Sequence, residues 1–333
     1  MQKLIEKNLY KKSLLSWLLL PFSLFYSVFL LLRRKLHSGG YRSRCKIISV
    51  GNIVSGGSGK TPVTIFLAKH LQEQGKKVAV SHRGYKGKFE NENKLISNDK
   101  EVFDFAKDAG DEAFLLASKF SGIPVIAGRN RKKSIQILEE KYPDLEYIIL
   151  DDSFQHLKVQ HDSDFVVFNA MGGIGNGFVL PAGILREPLS ALKFADYIVW
   201  NGKGEIPPKI QNFKKSILQG NYRIRRISDL KGNEIKPAGK CALLSGIGLP
   251  KSFENTVQQA GINFEKHFCF ADHYDFQNKE ILKQIADEVK LEEIDHLLTT
   301  EKDFAKLQFI EYNLPLAIVE VEFGLENAKD LKV

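Results

Sequence analysis

Hydrophobic and polar positions change rhythm along the chain. From Leu14 to Leu32 the residues read LLSWLLLPFSLFYSVFLLL without one charge; as a helix this run reaches roughly 28 Å, about one hydrocarbon core. It ends in Arg33, Arg34 and Lys35 rather than in small residues suited to cleavage, so a retained membrane-associated helix is expected instead of a signal peptide. Basic residues flank both ends, and the positive-inside bias favours a cytoplasmic carboxyl side only weakly. Pro21 and the serines leave open whether the helix crosses the bilayer or lies embedded in one leaflet.

Past residue 44 short apolar runs alternate with amphipathic stretches, the pattern of a parallel sheet covered by helices on both faces. Strands are expected at Lys46–Val50, Lys77–Ser81, Pro124–Ala127, Tyr147–Leu150, Asp164–Asn169 and Tyr197–Trp200, with helices near Thr61–Gln74, Asp111–Phe120 and Arg131–Lys141. The stretch 201–240 is rich in Lys, Gly and Pro, with a strand at Ser216–Ile224, and reads as a connector. A second alternating block follows, with strands at Ala242–Ser245, Asn263–Phe270, His296–Thr300 and Leu316–Phe323 and helices near Ser252–Ala260, Asn278–Val289 and Asp303–Phe309. The expected organisation is α/β: a membrane-associated helix over 1–35, a P-loop NTPase-like parallel-sheet domain over 36–210, a connector over 211–240 and a smaller α/β domain over 241–333.

Composition changes this picture little. Hydrophobic residues make up 43% and charged residues 26%, which excludes a disordered or fibrous chain. The net charge of +8 favours an anionic partner such as nucleic acid, a membrane surface or a phosphorylated substrate. Cys45, Cys241 and Cys269 are too scattered for a zinc or disulfide framework and suit a reducing compartment.

The chemistry is local. KIISV runs into GNIVSGGSGKTP and then into a helical pattern, the order that aims backbone N–H groups and a helix amino terminus at phosphate oxygens. Ser55, Gly56, Gly57, Ser58, Gly59, Lys60 and Thr61 are the expected nucleotide cradle, with Lys60 reaching the β and γ phosphates and the Thr61 hydroxyl ligating Mg2+. Val54 stands where the strict pattern has glycine, and Ser55 where partition-type ATPases carry a second lysine, which disfavours that subfamily. YIILDDSFQH places Asp151 and Asp152 after an apolar strand, where an acidic partner for magnesium is expected. Asp111 in AGDE opens a helix and reads equally as an ordinary first-turn acid. FADHYDF puts Asp272 and His273 beyond a strand of the second block, at the edge where α/β ligand sites lie. SHRGYKG and GNGFVLPAGILREP mix glycine with arginine, as a loop offering donors to an anion does and as a plain surface turn does.

Taken in order, GNIVSGGSGKTP, SHRGYKG, AGDE, AGRNR, DDSFQH, GNGFVLPAGILREP, SGIGLP, FADHYDF and TTEKDFAK resemble the tetraacyldisaccharide 4'-kinases of lipid A biosynthesis. The chain departs from that pattern at Ser153, often glycine there, and at Tyr274, often a second histidine. The resemblance implies transfer of the γ-phosphoryl of ATP, with Mg2+, to the 4'-hydroxyl of an acylated disaccharide 1-phosphate. It implies work at the anionic cytoplasmic face of the bacterial inner membrane, and two α/β domains with the site between them. It implies Asp111 and His273 as an acid/base pair, while Arg129, Arg131 and Arg186 are candidate contacts for the substrate phosphate or sugar. The competing reading is a membrane-associated P-loop ATPase acting as a conformational switch; it lacks a guanine-binding NKxD motif and a second loop lysine. A nucleic-acid-binding ATPase lacks an aromatic and basic stripe and leaves the apolar segment unexplained, and no obligate protein partner is implied.

Overall fold

The structure, a computed structural model, describes residues 9–37, 39–248, 250–271, 274–307, 314–326, 328 and 331. The chain divides into two compact units, Met1–Asn221 with Leu325–Val333, and Tyr222–Gly324.

The first unit opens with α1 (Leu14–Leu36), capped by Ser13, whose hydroxyl accepts from the Ser16 amide at 3.2 Å. Its faces are inverted relative to a soluble helix. Ser16, Ser23 and Leu30, seven residues apart and so on one face, are buried, while Leu14, Leu18, Phe22, Phe25, Val28 and Phe29 are exposed.

Strands β1 (Lys46–Gly51), β2 (Val78–His82), β3 (Lys94–Ser97), β4 (Val125–Ala127), β5 (Tyr147–Asp151), β6 (Ser163–Asn169) and β7 (Tyr197–Asn201) lie in the order β7-β6-β1-β5-β2-β4-β3. All pair in parallel except β3, which runs antiparallel at the edge beside β4 and was not anticipated in sequence because only four residues form it. The first residues of β8 (Ser216–Ser228) pair in parallel with β7. Ile47, Ile48, Val50, Val80, Ile148, Ile149 and Leu150 are almost wholly buried on both faces of the sheet, as parallel strands require. Helices α2 (Lys60–Glu73), α3 (Asp111–Lys119) and α4 (Arg131–Lys141) cover them. In α2 the buried residues Val63, Thr64, Leu67, Ala68 and Leu71 form one stripe.

The register decides where the chemistry gathers. Val50 pairs with Asp151 and Ser81 with Leu150, so the carboxyl ends of β1, β5 and β2 share one edge of the sheet. In an open parallel sheet this is the ligand edge.

In the second unit β9 (Cys241–Ser245), β10 (Lys266–Cys269), β11 (His296–Thr300) and β12 (Leu316–Leu325) lie in the order β10-β9-β11-β12, with the end of β8 next. The neighbours β10/β9, β9/β11 and β11/β12 are parallel. Alternate residues of β9 feed opposite cores: Ala242 and Leu244 pack with Phe276, Leu282 and Leu297, Cys241 and Leu243 with Phe253, Val257 and Leu298. Helices α6 (Pro250–Gln259), α7 (Lys279–Leu291) and α8 (Glu301–Leu307) supply those apolar faces; a short α5 (Pro208–Gln211) belongs to the first unit. Within the segment 211–240 the strand expected at Ser216–Ile224 is present as the 13-residue β8, which runs on to Ser228.

Leu67 is fully buried against the sheet. Leu67→Ala should lower unfolding free energy by about 2–5 kcal/mol, measured as a shift of the urea midpoint at unchanged slope.

Candidate nucleotide-binding site

Between β1 and α2 the loop turns on its glycines. Gly56 and Gly59 have φ of 101° and 86°, angles at which a side chain is strained, and Gly56 and Gly57 are exposed. The amides of Gly56, Gly57 and Gly59 donate to no acceptor among the described residues, which leaves them for an anion at the start of α2.

The rest of the loop is braced. Asn52 is buried, donating to the Ser58 hydroxyl at 2.9 Å and accepting at its carbonyl from Gln155 at 2.7 Å. Ser58, expected among the ligand-facing residues, is buried and holds the loop's shape. Val54 bridges Leu185, the Ser55 amide donates to the Ile184 carbonyl at 2.7 Å, and the Arg186 amide donates to the Ile53 carbonyl at 2.7 Å. The departure from glycine at Val54 therefore reflects packing: this position is a buried contact with the GILREP segment.

At the end of β5 the paired aspartates take different environments. Asp151 is buried and accepts from Thr64 at 3.0 Å and Thr61 at 3.4 Å. Burial pushes its carboxyl up, against the pull of His82 and Lys60. Asp152 has φ 51° and points Oδ1 at Lys60 Nζ, 3.5 Å away, and at Arg186, 3.9 Å away. That oxygen is buried yet accepts no hydrogen bond. An orphaned carboxylate oxygen beside the Thr61 hydroxyl and Asp151 is a set of hard oxygen donors, and it fits a magnesium ion.

His82 was noted in sequence only as part of a loop, and the structure gives it a place. It is buried at the end of β2, where Nδ1 accepts from the Gly84 amide at 2.9 Å. A neutral ring therefore keeps its proton on Nε2, which faces Glu112 at 3.4 Å and Asp151 at 3.8 Å. His82 thus stands between the aspartate pair and the first turn of α3, the turn that presents exposed Asp111.

Asp111 is placed by two glycines. Gly110 precedes it at φ 93°, and Gly87 of SHRGYKG packs so closely that a Cβ there would lie 2.2 Å from the Ala109 carbonyl oxygen. SHRGYKG and AGDE are thus one structural unit.

The three arginines separate. Arg186 faces Asp152 and Asn52 at the loop. Arg129 is exposed, its amide bonded to Glu90. Arg131 is buried, donating to the Ser81 hydroxyl and to the Asp151 carbonyl, and burial lowers its pKa to about 10, so it remains charged. Its guanidinium ties β2 to β5 rather than facing a ligand, which corrects its expected role as a substrate contact.

In the second unit His273 and Asp272 lie outside the described residues. Their flanks are fixed by TTEKDFAK: buried Asp303 accepts from the Gly246 amide at 3.0 Å and the Thr300 hydroxyl at 2.7 Å, and Lys306 donates to the Tyr274 carbonyl at 2.9 Å.

A parallel α/β sheet with a phosphate loop, Lys60 and Thr61 at the helix start and an aspartate pair on the neighbouring strand defines a P-loop nucleotide-binding protein. The family model described as tetraacyldisaccharide-1-P 4'-kinase matches residues 15–332, and the chain belongs to that family. It is 35% identical to a tetraacyldisaccharide 4'-kinase of Actinobacillus pleuropneumoniae over 95% of this chain and 94% of that one. It is 31% identical to that of Halothermothrix orenii over 92% and 88%. A crystal structure of LpxK from Aquifex aeolicus in complex with ATP superposes with a TM-score of 0.72 at 27% identity, covering 95% of this chain and 96% of that one.

Gly87→Ala should displace the start of α3, costing about 1–3 kcal/mol in unfolding free energy and more in turnover than in nucleotide affinity; paired denaturation and kinetic measurements check it. His156, four residues beyond Asp152, is held down to about 4, first by burial and then by Arg131. Between about 6.5 and about 4 the unfolded chain takes up a proton that the folded one refuses, so stability should fall as pH drops through that window. His156→Asn should flatten the slope of urea midpoint against pH.

Proposed function

We propose that the chain transfers the γ-phosphoryl of ATP to the 4'-hydroxyl of a lipid A disaccharide 1-phosphate, giving the 1,4'-bisphosphate and ADP. The observation that carries this reading is a phosphate loop in the same unit as a helix whose apolar face is turned outward. Family membership supports the reaction, and the ATP complex of the Aquifex aeolicus relative supports the donor.

In this reading the free amides of the loop hold the β and γ phosphates, and Lys60 turns to them from Asp152. Thr61, Asp151 and Asp152 would hold Mg2+, which when bound supplies neutralising charge for the phosphate oxygens. Arg186 adds charge on the other side of Asp152. Asp111 takes the proton of the acceptor hydroxyl as its oxygen bonds to the γ-phosphorus and the bond to ADP breaks, with His273 assisting as the family resemblance implies. Phosphoryl transfer asks mainly for position and charge, and these residues provide both.

The inverted faces of α1 support a place in one leaflet. Ser16 bonds Asn176 at 3.3 Å, Ser23 accepts from the Ala182 amide at 2.9 Å and Arg34 pairs with Glu187 at 2.8 Å. Start, middle and end of the helix are thus held by the same unit, and crossing the bilayer would carry those polar partners into hydrocarbon. Lying at the inner-membrane surface, cytoplasmic side, its exposed apolar face meets lipid while the basic chain meets anionic headgroups.

Lys60→Ala and Asp111→Ala should each lower turnover by about 10²–10³ while the protein stays folded. The measurement is transfer of label from γ-labelled ATP to the lipid in detergent. Hydrolysis of ATP with no labelled lipid in the wild type would favour a conformational-switch ATPase instead.

A further inference from the structure

The apolar helix and the nucleotide loops meet at one side chain. Arg34, in the last turn of α1, has a side chain only 9% exposed, and its partner Glu187 is 4% exposed. Its Nε and Nη2 reach the two oxygens of Glu187 at 2.8 and 3.2 Å, and Nη2 also donates to the Phe154 carbonyl at 3.0 Å. The guanidinium lies over the Phe154 ring at 4.3 Å and the Phe194 ring at 5.2 Å. Beside it Arg33 donates to the Gln155 carbonyl at 3.2 Å, and Gln155 in turn donates to the Asn52 carbonyl in the phosphate loop.

These partners are not scattered. Glu187 follows Arg186, and Phe154 stands two residues after Asp152, so one guanidinium holds both segments that carry charge to the nucleotide site. Only an arginine can meet a carboxylate with two donors, a carbonyl and two rings together; a lysine offers a point charge. Burying such a pair is costly, and a helix that served only to attach the protein would have no need of it.

We propose that Arg34 is a positioning residue through which the docked helix sets the Asp151–Asp152 loop and Arg186, so that nucleotide binding depends on α1 as well as on the phosphate loop. This rests on the reading of that loop as the nucleotide site, and not on the identity of the acceptor. One helix then serves two separable roles, its outer face turned to the membrane and its inner end bracing the ATP site.

The test uses the full chain in detergent, with Arg34→Gln and the charge-retaining Arg34→Lys, both checked for fold by circular dichroism. Binding of a fluorescent ATP analogue with Mg2+, co-sedimentation with anionic phospholipid vesicles, and KM for ATP and for lipid are measured. Arg34→Gln should weaken nucleotide binding and raise KM for ATP by about 5- to 150-fold, with vesicle binding and KM for lipid unmoved. Arg34→Lys should fall between. Wild-type nucleotide affinity in both variants would overturn the proposal, as would equal losses of nucleotide and vesicle binding in Arg34→Lys. Nucleotide affinity is read without an acceptor, so this outcome is separate from whether lipid is the substrate.

Discussion

The buried carboxylate of Asp151 is the contact on which the nucleotide half of this molecule depends. A charge 1% exposed at the end of β5 is tolerable only because two threonine hydroxyls of α2, the His82 ring and Lys60 surround it. Those partners arrive from separate stretches of chain, and the β1–β5 register aligns them. Slipping that register by one residue would turn Asp151 to the other face of the sheet, away from α2. Arg131, donating to the Asp151 carbonyl and to Ser81, fixes the same junction from behind.

Around that junction the glycines matter for what they leave out. At Gly51 a Cβ would lie 2.5 Å from that of Phe154, and at Gly87 the same added atom would strike Ala109. The first lets the aspartate loop close on the phosphate loop, and the second lets SHRGYKG close on the start of α3. Motifs far apart in the chain are thus faces of shared contacts.

Much of the fold was legible in the sequence because its signals are local. Apolar strands buried on both faces and a glycine-rich turn between strand and helix declare themselves within a dozen residues, and the helix over Arg131–Lys141 matches to the residue. What escaped depends on tertiary pairing. β3 is four residues long and takes its identity from its neighbour, and β8 runs four residues past the strand expected at Ser216–Ile224. His82 and Arg34 carry no local signal, since a histidine at a strand end and an arginine after an apolar run have many uses. Arg131 and Arg186 looked alike in sequence; only burial separates the arginine that ties strands together from the one that faces the loop.

The helix α1 shows how far such ambiguity reaches. By length and hydropathy alone it could cross a bilayer, and nothing in its composition says otherwise. Its polar residues tie it to the domain, because a serine inside an apolar helix can bond back to its own carbonyls and can also reach a partner. Ser27 does the first, to the Ser23 carbonyl at 2.7 Å. Ser16 and Ser23 do more: besides donating to the Lys11 and Leu19 carbonyls, they accept hydrogen bonds from Asn176 and the Ala182 amide. The partners of those serines flank the cradle-bracing GILREP segment, and Glu187 within it receives Arg34. A helix bonded in this way along its inner face is part of the domain's polar framework, and its outer face is left apolar and exposed.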